Sequence, residues 1–380
     1  MKPTYYEFFA GGGMAHAGLG AGWKCLFAND NSPAKAASYA ENWGMDAMTL
    51  QDINTLTTEQ LVGHADLAWA SFPCQDLSLA GNGAGLEGER SGTFWAFISL
   101  MSQLRLEKRS PKIIALENVC GALTSRGGQD FGAMVQALTK LQYQVGAMVI
   151  DAAYFLPQSR PRLFVVAIDS KLNVPGDCKS KLPIHPWATD GLFKAFSALD
   201  KTSQSKWVWW NLPLPPEQQT HLSALIEEKP TDVEWHTQAQ TSQLLNMMTP
   251  LNLHKVHQIQ KQKVKVVGTI YRRTRNGHQR AEVRFDGLAG CLRTPGGGSS
   301  RQTIIVVKGD SVRSRLLSAR EAARLMGLTD SYKLPARYND AYHLAGDGVA
   351  VPVVAHLKQH LFNPILSANP TIELPELVAQ

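Results

Sequence analysis

The chain has 380 residues, 44% of them hydrophobic, and a formal net charge of +6; it can bury a large core, and its basic excess permits a polyanionic partner without requiring one. No stretch reaches the roughly 18 apolar residues that a membrane helix needs, and the opening MKPTYYEFFAGGG lacks the apolar run of a secretory leader. The five cysteines (25, 74, 120, 178, 291) are scattered, odd in number and without a CxxC pair, which argues against a disulfide framework or a zinc site and for a reducing cytoplasm.

In the first 170 residues, short apolar runs alternate with helical patterns. TYYEFF (4–9), KCLFAND (24–30), HADLAWASF (64–72), KIIALENV (112–119), QVGAMVIDAAYF (144–155) and RLFVVAI (162–168) read as strands. PAKAASYAENW (33–43), TFWAFISLMSQLRLEK (93–108) and FGAMVQALTKLQ (131–142) carry apolar residues at helical spacing. This alternation predicts an α/β, doubly wound and mostly parallel sheet with helices on both faces, whose ligand site lies beyond the carboxyl ends of the strands. After about residue 170 the alternation stops, and 171–300 is rich in Pro, Gln and Trp. This stretch predicts an inserted smaller domain, irregular or β-rich, with its tryptophans as core. A helical pattern returns at 318, where Ser318 and Glu321 form a capping box and Gly327 closes the helix. A last helix begins near Val351 with Pro352 in its first turn.

Three features carry chemistry. The loop after the first strand, FFAGGGMAHAGLG (8–20), is rich in small residues that let a ligand approach the backbone. Asp30 stands 19 residues after Gly11 at the end of the second strand, where an acid can meet ribose hydroxyls, and Asp52 ends a third short segment. The dinucleotide fingerprint GxGxxG fails because His16 takes its third glycine position, so the loop alone fits either a nucleoside cofactor or a plain tight turn. Phe72-Pro73-Cys74-Gln75 closes the fourth strand ahead of a glycine-rich stretch (80–92) suited to a lid. A lone cysteine is most often a small buried hydrophobe. Here Glu117 ends the fifth strand, and Arg160 and Arg162 precede the last one, at the same edge. A thiol, a carboxyl and two guanidiniums together suit thiolate attack on an anionic substrate.

Taken in order, Phe9-x-Gly11-x-Gly13, Pro73-Cys74-Gln75, Glu117-Asn118-Val119 and Gln158-x-Arg160-x-Arg162 resemble the motif series of the C5-cytosine DNA methyltransferase family. RLLSAREAARLMGLTDSYKL (315–334) and GDGVAVPVVAHL (346–357) resemble that family's two C-terminal motifs, so that the match covers roughly residues 1–170 and 286–362. The resemblance implies the class I S-adenosylmethionine-dependent methyltransferase fold. Residues 1–171 are then the catalytic and cofactor-binding domain, 172–295 an inserted target-recognition domain, and 296–380 the return to the catalytic domain.

It also implies site roles. Cys74 as thiolate attacks C6 of a cytosine flipped out of the duplex, Glu117 meets N3 and the exocyclic amine, Arg162 meets O2, and Arg160 lies near the thiol and the substrate backbone. Asn118 orients the Glu117 loop, Pro73 and Gln75 shape the pocket, and Ser78 and Arg90 are lid residues that meet phosphates. For S-adenosylmethionine, Phe9 stacks on adenine, Gly11 and Gly13 leave room for the methionine end, Asp30 with Asn31 takes the ribose, and Asp52 and Ile53 edge the adenine. Pro73, Phe94 and Val349 are walls, with Asp347 at the polar end. Two residues depart from the family pattern. Asp347 replaces a common Asn, and Cys291 replaces a threonine at a phosphate-contacting position that Thr294 could take over.

Residues 255–284 hold nine basic side chains against one acid, Glu282. Alone, such a run is as readily a solvated face. Within the resemblance it belongs to the recognition domain, where Arg272, Arg273 and Arg275 could bond guanine edges. The expected partner is double-stranded DNA, with a separately encoded restriction endonuclease compatible; no membrane is expected, and the chain reads as a cytoplasmic monomer. A tRNA cytosine methyltransferase and a catalytically silent DNA-binding relative stay open as alternatives.

Overall fold

The computed structural model describes residues 1–72, 92–217, 220–275, 277–293 and 301–370, with backbone alone at 275. Seven strands form the large sheet: β1 (Thr4–Phe8), β2 (Lys24–Asp30), β3 (Met48–Leu50), β4 (Leu67–Ala70), β5 (Ile113–Val119), β6 (Tyr143–Asp151) and β7 (Pro161–Asp169). Their spatial order is β3-β2-β1-β4-β5-β7-β6. β1 pairs in parallel with β2 and β4, as do β2 with β3 and β4 with β5, whereas β7 runs antiparallel to both β5 and β6. The chain winds one way from β1 to β3 and the other way from β4, which opens a crevice beyond the carboxyl ends of β1 and β4. Because β7 reverses, its first residues arrive at that same edge: Val119 pairs with Arg162, and Asp151 with Pro161.

The strands are apolar throughout because both faces are covered. Tyr6, Phe8, Ala68, Ile114 and Leu116 pack with α3 (Gly92–Leu106) and α4 (Gln129–Lys140); the alternate positions Tyr5, Leu67, Trp69, Ile113 and Ala115 face α1 (Met14–Leu19). α2 (Pro33–Trp43) lies outside β2, with Tyr39 buried against Ala28 and Met48. The predicted strands and helices of this half are all present, with the fourth strand shortened to 67–70 and the end of the sixth replaced by a helical turn at 152–154.

Beyond residue 170 the structure departs from expectation. β8 (Lys179–Ser180), α5 (Asp190–Ser197), α6 (Lys201–Ser205) and β9 (Trp209–Trp210) run along β6 and complete the large body. Val145 N–H donates to Lys206 O at 3.1 Å, Val208 N–H to Val145 O at 2.9 Å and Val149 N–H to Trp187 O at 2.9 Å. β6 is an edge strand whose backbone groups need partners, and this segment supplies them. Gly146 permits the approach, since a Cβ there would lie 2.0 Å from Val208 O. Trp187 and Trp210 join one core of the large sheet, and Trp209, with Trp207, joins the other. These four tryptophans are therefore not the core of a small domain, as composition suggested; wide rings are what cover a sheet edge.

The small body follows: α7 (Leu222–Leu225), α8 (Gln238–Asn246), α9 (Pro250–Lys261) and an antiparallel sheet of β10 (Lys265–Arg275), β11 (His278–Arg284), β12 (Thr303–Lys308) and β13 (Ser311–Leu316), ordered β11-β10-β12-β13. Thr237 and Thr249 cap α8 and α9 through their hydroxyls. The core of this body is Met248, Val256, Ile270, Ala281, Val283, Ile305, Val307 and Val312. The sheet spans residue 295, the expected end of the insert, and β12 pairs directly with β10. The chain then returns through α10 (Ala319–Leu325), α11 (Tyr338–Asp347) and α12 (Val351–Leu357), which cover the α1 face. Ser318 and Glu321 form the predicted capping box, Gly327 sits at φ 82 past the helix end, and Pro352 lies in the first turn of α12. Among the described residues no helix is long and apolar enough to cross a membrane.

An ion pair joins the two bodies. Arg315 at the end of β13 and Glu321 in α10 are both fully buried and meet at 2.5 Å, and Arg315 also donates to Glu227 O at 2.7 Å. Removing one partner would leave the other charge buried without an answer. Arg315→Ala should therefore cost about 3–5 kcal/mol in urea unfolding, while Arg315→Met with Glu321→Leu should recover much of that loss. An unchanged midpoint for the single variant would show that water reaches the pair.

Candidate active site

The loop that joins β1 to α1 is held in an unusual conformation. Phe9 (φ 57), Gly11 (φ 56) and Gly13 (φ 77) all adopt left-handed backbone, which costs a non-glycine residue such as Phe9 strain. The loop is fixed from below: Trp43 Nε1 and the Tyr332 hydroxyl both donate to Gly12 O, at 3.0 and 2.7 Å. A Cβ on Gly12 would fall 2.3 Å from that hydroxyl, whereas one on Gly11 would meet nothing within 4 Å among the described residues. Asp30 accepts from Gly11 N–H at 2.9 Å and Ser32 N–H at 2.8 Å, which ties the end of β2 to the loop.

The other residues predicted around a cofactor sit as follows. Asn31 is exposed beside Asp30. Asp52 is exposed and caps the turn at 53–55 by accepting from Asn54 N–H, and Ile53 is buried behind it. Asp347 pairs with Lys35 of α2 at 3.0 Å, and Val349 packs in the core behind. Phe94 has no exposed surface; it packs on Phe72, with ring centroids 5.4 Å apart.

Sequence reasoning missed Glu7. It is 1% exposed, and one of its oxygens, Oε2, has no partner among the described residues. Burial, with Asp30 nearby, pushes its carboxyl up to about 8. His16, which breaks the dinucleotide fingerprint, stacks on Trp43 at 4.4 Å, and burial holds it down to about 4; it is a neutral packing group.

At the opposite rim, β5 and β7 bring Glu117 and Arg162 together, with Arg162 Nε 3.3 Å from Glu117 Oε1. Both are largely shielded, so each fixes the direction of the other. Asn118 donates to Phe72 O at 3.4 Å and accepts from Val119 N–H, tying β5 to the chain just before residue 73. Arg160 is 3% exposed and spends its fork on Leu292 O (3.2 Å), Gly346 O (2.9 Å) and Gly348 O (2.7 Å). Gln158 works alongside: it donates to Leu325 O at 2.6 Å and accepts from Leu292 N–H at 3.2 Å. Cys291, marked in the sequence only as a departure, lies 3.5 Å from both Arg160 and Arg162. Pro73, Cys74, Gln75, Ser78, Arg90 and Thr294 lie outside the described residues.

The predicted recognition arginines are on the β10–β11 hairpin. Arg273 stands directly opposite Arg280. Arg272, one residue before, alternates to the other face, and Arg275 pairs with His278 at the hairpin end.

Residues 4–363 match the family model described as C-5 cytosine-specific DNA methylase. The chain is 24% identical over 360 residues to the type II methyltransferase M.HhaI of Haemophilus parahaemolyticus, covering 94% of this chain and 93% of that protein. It is 25% identical over 373 residues to the type II methyltransferase M.HpaII of Haemophilus parainfluenzae, covering 93% and 87%. Among solved structures, the S. pombe Dnmt2 methyltransferase shares the fold with a TM-score of 0.62 at 17% identity, over 95% of this chain and 99% of that one.

Glu7 gives the site a pH dependence of defined sign. With its carboxyl raised to about 8 from an ordinary value of 4.5, the folded state holds a proton that the unfolded state has lost. The stability this contributes is full below about pH 4.5 and is lost as pH rises through about 8. Glu7→Gln should thus gain stability relative to the unsubstituted protein between pH 5 and about 9 in paired thermal melts. Parallel pH curves would mean that Glu7 is ionised in the fold.

Proposed function

We propose a division of labour for this chain, which belongs to the C-5 cytosine-specific DNA methylase family and is an enzyme that methylates carbon 5 of cytosine in DNA. The methyl donor used by the family is S-adenosylmethionine, and the crevice at β1 and β2 suits it. The strained Phe9, the clearance at Gly11 among the described residues and the carboxylate of Asp30 fit a nucleoside, and the paired charges of Lys35 and Asp347 fit a zwitterionic end. Phe9 stacks on the adenine, with Asp52 and Ile53 at its edge; Asp30 and Asn31 take the ribose; Gly11 and Gly13 make room, and Asp347 with Val349 closes the polar end. When bound, the cofactor supplies a methyl group made electrophilic by its sulfonium centre.

The chain's own residues make cytosine able to accept it. The base leaves the stack at a cost of about a few kcal/mol. The Cys74 thiolate forms a bond to C6, and the displaced electron pair builds up at C5 and toward N3. Glu117 hydrogen-bonds or protonates N3, so the developing charge has a partner, and Arg162, oriented by its contact to Glu117, meets O2. Once C5 carries the methyl group, its proton passes to water, the C5–H electron pair re-forms the C5=C6 double bond, and the C6–sulfur bond breaks to restore the thiolate. Arg160 acts through others: its fork positions the segments that carry Cys291 and Asp347.

One observation carries the DNA reading. Arg273 and Arg280 face each other across the hairpin with Glu282 Oε2 3.5 Å from Arg273 Nε, so two guanidiniums outnumber this carboxylate and the face still favours an added anion. Tyr271, on that same strand face, sits against Gly290, where a Cβ would lie 0.8 Å from the tyrosine oxygen; the basic face is thus contiguous with the rim at Cys291. We assign this small body, with Arg272, Arg273 and Arg275, to target recognition, in which a good bidentate arginine contact discriminates by about 1–3 kcal/mol. Pro73, Gln75, Ser78, Arg90 and Thr294 are assigned to the pocket and to phosphate contacts by resemblance alone. The type II names of the relatives fit a separately encoded endonuclease that cuts the same site.

The first test is transfer of labelled methyl to unmethylated DNA, followed by bisulfite sequencing. Label at C5 of cytosine within one short motif is expected; a folded enzyme that labels tRNA instead would overturn the DNA reading. Cys74→Ser should retain DNA binding and lose turnover, and Glu117→Gln should slow turnover by about 10²–10⁴-fold with binding kept. Wild-type rates for either would remove its assigned role. Arg273→Ala should weaken DNA binding across sequences and lower the salt dependence by about one unit of slope if it meets a phosphate, or relax specificity at one base pair if it reads an edge. Unchanged affinity, salt slope and site preference would place it outside the interface.

A further inference from the structure

Cys291 reaches the rim through a short backbone pairing: Ser159 N–H donates to Ala289 O at 2.8 Å and Ala289 N–H to Pro157 O at 2.7 Å. This sets the Cys291 sulfur 3.5 Å from one nitrogen of Arg160 and 3.5 Å from one of Arg162, beside the Glu117–Arg162 contact. The Arg160 side chain is 3% exposed, and its Nε has no partner among the described residues. Cys291 itself is part-exposed.

The other described cysteines sit in opposite surroundings. Burial raises the Cys25 thiol to about 12, with Glu7 adding to it, raises Cys120 to about 11, and also raises Cys178, which is 2% exposed. Burial pushes Cys291 the same way, but Arg160 and Arg162 outweigh it and leave this thiol below its usual range.

We propose that Cys291 is a second reactive thiol of the enzyme, a modification site that takes low-molecular-weight disulfides and related sulfur electrophiles and, once capped, bars DNA from the rim. The Cys291 proton goes to solvent, the thiolate attacks one sulfur of the reagent, the new S–S bond forms, and the other half leaves as a thiolate. A second thiol reverses the step. The cap puts a larger neutral group on the sulfur held beside the two arginines, at the place where the basic face of the hairpin meets the rim.

The test uses the full chain with Cys74→Ser, so that the assigned nucleophile is silent, and methyl methanethiosulfonate as the probe, which leaves as methanesulfinate. Peptide mapping should find Cys291 capped at least about tenfold faster than Cys25, Cys120 or Cys178 at pH 7, where an ordinary thiol is mostly protonated. Capping should weaken DNA binding at least about tenfold, dithiothreitol should restore it, and Cys74→Ser with Cys291→Thr should not respond to the reagent. Equal labelling rates among the four cysteines would overturn the reactive thiol. A capped Cys291 with undiminished DNA affinity would overturn the barring role. That second arm rests on the DNA reading: if the uncapped protein binds no DNA, the functional reading fails, and the labelling rates alone decide for or against the thiol.

Discussion

The guanidinium of Arg160 is buried at 3% exposure and holds the carbonyls of Leu292, Gly346 and Gly348, which lie 132, 186 and 188 residues further along the chain. A cation out of water is costly unless every contact is well placed, and three backbone carbonyls provide that here. The closure assembles the site. It brings the loop that carries Asp347 to the crevice beside β1 and β2, and Cys291 to the rim where β5 ends, from one anchor at the start of β7. The reversal of β7 is what puts that anchor at the edge where β5 ends. A lysine could not reproduce the closure, because a single ammonium lacks the planar fork that spans separated acceptors.

Around this anchor the structure separates charges by solvation. Glu7 and Asp30 lie near each other below the β1–α1 loop, and they are treated differently. Asp30 receives two backbone N–H groups, while Glu7 keeps an oxygen with no partner among the described residues and is pushed toward the neutral acid. Two carboxylates so placed repel, and protonating the deeper one removes the conflict. At the other rim Glu117 faces Arg162 instead, which favours an ordered carboxyl group aimed along the sheet edge.

The two departures from the family pattern each meet a charged neighbour. Asp347 has Lys35 at 3.0 Å, and Cys291 has Arg160 and Arg162. Neither pairing could be read from the residue itself. Lys35 was one position in a helical pattern, and no spacing rule links residue 291 to 160. Trp187, Trp207, Trp209 and Trp210 went astray for a similar reason. Composition marks aromatic residues as core but is silent on which sheet they cover, and here it was the open edge of β6.

The sequence by itself determined the alternation of strands and helices, the capping box at Ser318 and Glu321, and the rim carrying Glu117, Arg160 and Arg162, because these depend on local periodicity and on which residues end a strand. It also determined the family, through an ordered motif series. Tertiary structure decided the rest: that Arg160 is an anchor spent on three carbonyls, that Glu7 is the deep carboxyl of the crevice, that the small sheet takes in β12 and β13, and that Cys291 lies between two guanidiniums. Those outcomes depend on desolvation and on contacts across a hundred residues or more, for which neighbouring residues in the chain hold no signal.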